Sequence, residues 1–122
     1  MANLQSPIHR LAGTAKGRSA GSAFGGMVWV AAVPDKTDPD IAQQSTDIFA
    51  KLDRMLEGLG TDKTRIISGT CYLSSLADKP AFDEAWAEWI GERTAHWPQR
   101  TCVGADLVNG ALVEIMLLAA AT

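Results

Sequence analysis

Two charged side chains interrupt the most apolar part of this chain. The stretch Trp97 to Ala121 reads WPQRTCVGADLVNGALVEIMLLAAA, with Arg100 opening one apolar run and Glu114 inside the next. Leu112 and Val113 precede Glu114, and Ile115 to Ala121 follow it without another charge. A buried ion without a partner loses several kcal/mol of hydration. Glu114 therefore needs a partner, a raised pKa or a wet cavity. Arginine grips a carboxylate through two parallel N–H bonds, and glutamate orients or deprotonates water. A turn joining two antiparallel strands would bring Arg100 and Glu114 into one neighbourhood, as two halves of a small wet anion site. The plainer alternative for Arg100 is an ion pair at a strand end.

The other chemistry-bearing residues offer less. His9 and His96 stand far apart, with no HxH, HExxH or paired-cysteine spacing, so no metal site is expected. No GxSxG and no Ser/His/Asp order supports serine hydrolysis. Cys102 lies two residues after Arg100, whose charge would lower its pKa and make it a nucleophile. The alternative is a small, partly buried residue whose backbone matters more than its thiol. Cys71 and Cys102 form no CxxC and read as free thiols.

The elements that must position these residues follow from periodicity. HRLAG, His9 to Gly13, reads as a short first strand. RSAGSAFGGMVWVAAVP, Arg18 to Pro34, reads as strand, Gly25-Gly26 turn and strand. Asp38 suits an N-cap with Pro39 at the first helical position. Ile41, Ile48, Phe49, Leu52, Met55, Leu56 and Leu59 then form a helical apolar stripe, stopped by Gly58 and Gly60. TRIISGTCYLSS, Thr64 to Ser75, is a strand by its β-branched and aromatic content. KPAFDEAWAEWIGERTAHW is a second helix with Phe82, Trp86, Trp89 and Ile90 on its apolar face. Two last strands, roughly Arg100 to Leu107 and Ala111 to Ala120, flank an Asn109-Gly110 turn. The order βββαβαββ predicts an α+β domain: a mixed, mostly antiparallel sheet with two helices on one face.

The rest of the composition narrows the class. The 122 residues, 47% hydrophobic, suit one domain spanning 1–122. A net charge of -3 without a basic run disfavours nucleic-acid binding. The first residues, MANLQSPIHRLAG, hold no apolar core of signal-peptide length, and Leu112 to Ala121 is too short to span a bilayer. A cytoplasmic protein without a membrane partner is the expectation. Two helices leave one sheet face open, and strands such as MVWVAAV and IMLLAAA are too apolar to leave it wet. That face should bury itself in an oligomer, with clefts between subunits that suit ligands.

PQRTCV, with a glutamate fourteen residues after the arginine in LVEI, resembles the C-terminal signature of the RidA/YjgF family. GLGTDKTRIISGTCYLSSL and MVWVAAVP resemble two further family segments, and FDEAWAEWI resembles its small YoaB-like branch. The resemblance implies a chorismate mutase-like fold and a homotrimer with ligand clefts at subunit interfaces. It implies hydrolysis of reactive enamines and imines to 2-oxo acids and ammonia, with no cofactor. Carried over, Arg100 grips the substrate carboxylate, Glu114 holds or activates water, and the backbone around Cys102 positions the water or the imine nitrogen. Several surrounding positions depart from the family pattern. Arg18 stands where a tyrosine is usual, Ala31-Ala32 replaces serine-glycine, and Asp83 replaces an asparagine, so the resemblance implies Arg100, Cys102, Arg18, Ala32 and Asp83 as the substrate-binding set. Val108 stands where a proline follows the turn leucine, and Met116 replaces a second glutamate. If Arg18 shares the pocket with Arg100, the ligand should carry a second acidic group. The alternative leaves Arg18 in solvent or paired with Asp83 or Asp106. Two other functions compete: a non-catalytic homotrimer that binds small carboxylates, and a chaperone-like or ribonuclease role, the latter disfavoured by the acidic charge.

Overall fold

The structure, a computed structural model, describes residues 7–38 and 40–122. Alternating burial along the strands decides the architecture. In β3 (Met27–Ala32), Val28, Val30 and Ala32 are buried; in β6 (Val113–Ala120), Val113, Ile115, Leu117 and Ala119 are. These residues all face α1 (Ile41–Gly58) and α2 (Lys79–Ile90). The opposite face carries Trp29, Met116 and Val103, two-fifths to one-half exposed (41%, 48% and 40%).

With β1 (His9–Leu11), β2 (Gly21–Phe24), β4 (Ile66–Leu73) and β5 (Gln99–Gly104), these strands make one six-stranded sheet. Its order is β1-β2-β3-β6-β4-β5, antiparallel throughout except for the parallel pair β4 and β5. The α+β arrangement and the order βββαβαββ agree with the sequence reading. The pairing of the last two strands does not. β5 and β6 flank β4 on opposite sides, so residues 105–112 form a crossing connection rather than a hairpin. Asn109 and Gly110 do take the positive φ of a turn pair, 59° and 80°, within that connection.

The boundaries shift for local reasons. α1 starts one turn signal later than expected: Asp40, not Asp38, caps it by accepting the Gln43 N–H at 3.1 Å. Pro39 lies outside the described residues. Gly60, with φ 83°, closes α1: its N–H reaches the Glu57 carbonyl while Thr61 N–H reaches that of Leu56. α2 ends at Ile90 because Gly91, at φ 85°, turns the chain, and Thr94–His96 forms a separate 3-10 turn. β2 begins at Gly21, not Arg18, and β5 stops at Gly104, not Leu107.

Both helices join through aromatic rings. Phe49 of α1 stacks on Trp89 of α2 at 4.6 Å and meets Phe82 and Trp86 at 6.0 Å. Gln44, fully buried on α1, pins the crossing connection: its amide donates to the Thr37 and Gly110 carbonyls at 3.0 and 3.2 Å and accepts the Leu112 N–H at 2.8 Å. That fixes the start of the strand bearing Glu114. Among the described residues, no helix is long and apolar enough to cross a membrane.

Candidate active site

Arg100 sits on β5 directly beside Gly69 of β4 and points to the helix-covered face. The glycine spares a tight contact with Leu117 and leaves ordinary contact with the arginine stem. A Cβ there would stand 3.1 Å from Leu117 Cδ2, 3.5 Å from Trp86 Cη2 and 3.7 Å from Arg100 Cγ. The guanidinium carbon lies 5.2 Å from the Phe82 ring and 5.1 Å from the Trp86 ring, so the cation is held against two aromatic faces. Its Nη2 donates to Asp83 Oδ1 at 2.5 Å, and Lys79 Nζ donates to Asp83 Oδ2 at 2.8 Å. Burial alone would raise the Asp83 carboxyl, but the hydrogen bonds and charges of Lys79 and Arg100 outweigh it and hold the group below the usual carboxylate range. Asp83 therefore meets Arg100 as an ion-pair partner. Two cations share one carboxylate, which leaves the cluster with a surplus positive charge.

Cys102 faces the same side, paired in register with Cys71. Both thiols are free; Cys102 is half-buried and packs against the core. Burial pushes the Cys71 thiol up to about 12, with Arg100 opposing, so Cys71 is no nucleophile at neutral pH.

Glu114 lies elsewhere. In β6 it stands opposite Tyr72 and, by the strand alternation, on the open face of the sheet. There it lines a groove of about 270 Å³ with Ala31, Tyr72, Leu107 and Met116. The groove is open, which gives the lone carboxylate access to solvent. Arg100 and Glu114 are thus not neighbours within one chain. β4 separates their strands, and the two side chains leave opposite faces. The expectation of a shared pocket rested on a β5–β6 hairpin that the fold does not form.

Two further expectations change. Ala32 is buried on the helix side, 7% exposed and opposite Ile115, so its side chain belongs to the core. Its neighbour Ala31 lines the groove instead. Arg18 is exposed, just before β2, and makes no ion pair among the described residues. Four strand spacings of ~4.8 Å separate β2 from β5, so Arg18 and Arg100 share no pocket within the chain, and Asp83 is not its partner. Tyr72, Leu107 and Met116 were missed as groove residues. The alternation of TRIISGTCYLSS places Tyr72 on one face, but only knowledge that β4 borders β6 puts it beside Glu114. Among the described residues, no cluster of three or more His, Cys, Asp or Glu could hold a metal ion.

Comparison with known proteins matches residues 20–121 to the family model described as endoribonuclease L-PSP. A RutC family protein of Haemophilus ducreyi is 34% identical over 99 residues, covering 80% of this chain and 83% of the relative. The RutC family protein YoaB of Escherichia coli is 35% identical over 89 residues, covering 72% and 76%. Among solved structures, a putative translation initiation inhibitor from Salmonella typhimurium superposes with TM-score 0.82 at 32% identity, over 93% of this chain and 96% of that one. A YjgF family member from Neisseria meningitidis gives 0.86 at 27% identity, over 95% and 96%.

Proposed function

Because the chain belongs to the endoribonuclease L-PSP family, shared by the RutC and YjgF proteins, we propose that it hydrolyses a small reactive 2-imino or 2-enamino acid to a 2-oxo acid and ammonia. The observation that carries this reading is Glu114, a carboxylate with no hydrogen-bond partner among the described residues, opening into an apolar groove. An iminium carbon is already electrophilic, so water, a base and orientation are the ingredients the reaction needs. Glu114 takes a proton from water as the C–O bond forms. It returns that proton to nitrogen, then takes the hydroxyl proton of the carbinolamine as the C=O bond forms, the C–N bond breaks and ammonia leaves.

Arg100 supplies the grip on the substrate carboxylate, helped by the surplus charge of its cluster with Lys79. Since Arg100 and Glu114 leave opposite faces of their own sheet, we place the working site between subunits of a homotrimer, Arg100 of one copy facing Glu114 of the next. The exposed Trp29, Val103 and Met116 supply the apolar surface for that contact.

The test generates 2-iminopropanoate in situ and follows its loss with and without the protein. Acceleration over the spontaneous rate is expected. Arg100→Ala and Glu114→Gln should each lower turnover, the latter by on the order of 10². Co-refolding the two inactive variants should restore part of the activity, because some mixed interfaces pair an intact Arg100 with an intact Glu114. No acceleration by a wild-type protein that still binds pyruvate in calorimetry would leave a carboxylate-binding trimer as the function.

A further inference from the structure

We propose that Tyr72 is a water-positioning residue of the same groove, acting with Glu114; the proposal rests on the hydrolase reading and adds a residue to it. Tyr72 and Glu114 are Cα partners in the antiparallel pair of β4 and β6. Side chains so opposed stand roughly 4.5–5.5 Å apart at their Cβ atoms and share one face. Both are half-buried, and both line the groove. Its remaining lining, Ala31, Leu107 and Met116, is apolar. Among the described residues, the phenol and the carboxylate are therefore the only polar side-chain groups there. Neither makes a hydrogen bond to any described residue.

Two unbonded oxygens facing one small apolar groove define where a water can sit. A phenol keeps its proton at neutral pH and still offers an acceptor oxygen, whereas an ionised carboxylate only accepts. A water that donates one hydrogen to Glu114 and the other to the Tyr72 oxygen has its lone pair turned toward the groove. That lone pair forms the bond to the iminium carbon. Glu114 receives the proton released by the attacking water and later passes it to the departing nitrogen. Tyr72 keeps its own proton throughout. Its part is to hold the water's second hydrogen, so that attack does not wait on a rotation.

The experiment is Tyr72→Phe, which keeps the ring as a groove wall and removes only the hydroxyl. Imine hydrolysis should fall about tenfold or more in kcat, as expected for one hydrogen bond in a charged network, with KM unchanged. A variant whose kcat equals that of wild type overturns the proposal. A second readout needs no turnover: the water between Glu114 and Tyr72 is sought in high-resolution crystal structures of wild type and of Tyr72→Phe. Losing the phenol oxygen removes one of that water's two anchors, so the water should be ordered between the two groups in wild type and lost or displaced in Tyr72→Phe. If wild type accelerates no imine hydrolysis, the hydrolase reading falls, and the ordered water alone judges the pair. No water between the two groups in wild type, or one unmoved in Tyr72→Phe, overturns the role of Tyr72.

Discussion

Asp83 sets how firmly Arg100 can hold a ligand. A substrate carboxylate must compete with the Asp83 carboxylate for the same guanidinium, or use the N–H groups it leaves free. Asp83→Asn removes the competing charge, so calorimetry should find pyruvate bound several-fold more tightly. Unchanged affinity would mean that Asp83 and the ligand use separate N–H groups. The same substitution should reduce stability, and the loss should depend on pH in a definite sense. The folded Asp83 carboxyl titrates below its ordinary value, so its stabilisation is present above the unfolded pKa of about 3.9 and vanishes as pH falls through the folded value. Denaturation midpoints of wild type and Asp83→Asn should differ at pH 6 and converge on acidification. A lone ion in an apolar strand is a signal that sequence carries, and it marked both Arg100 and Glu114. The face each ion uses is not written there. One residue of register reverses it, and register depends on partners distant in the chain.

At the scale of elements, the helices were legible because a stripe of Ile48, Phe49, Leu52, Met55 and Leu56 has one burial solution. The β2–β3 hairpin was legible too, since Gly25 and Gly26 take positive φ and the strands pair across them. The C-terminal pair was misread because Asn109-Gly110 is a hairpin signal by local chemistry alone. What overrides it is the insertion of β4, and β4 pairs in parallel with β5 only through the crossover helix α2. Nothing near Asn109 records that event. Gln44 shows what holds the resulting connection. Gln44→Ala would leave the part-buried Leu112 N–H and Thr37 carbonyl, and the more exposed Gly110 carbonyl, without the amide that bonds them. Each orphaned group costs ~1–3 kcal/mol, so chemical denaturation should show a loss of about 2 kcal/mol or more. A loss no larger than for a surface substitution would show that water replaces the amide there.

For the whole molecule, the sheet has one face sealed by two helices and one face bearing Trp29, Ala31, Val103 and Met116. If that face is the contact of a trimer, Met116→Lys should yield a smaller species in light scattering, because a lysine ammonium strongly resists burial among apolar side chains. A variant that remains trimeric would move the interface elsewhere. The position of β5 has a further consequence. Among the described residues it is an edge strand, bonded to the sheet only through its parallel neighbour β4, while β6 is bonded on both sides. The strand that carries Arg100 should therefore open and close more readily than the strand that carries Glu114, and its amide protons should exchange with solvent sooner. An anion bridging the Arg100 and Lys79 side chains would tie β5 to α2 from the outside. Ligand occupancy should then slow deuterium uptake in residues 99–104 while leaving 113–120 unchanged, so that binding is reported by the breathing of a single strand.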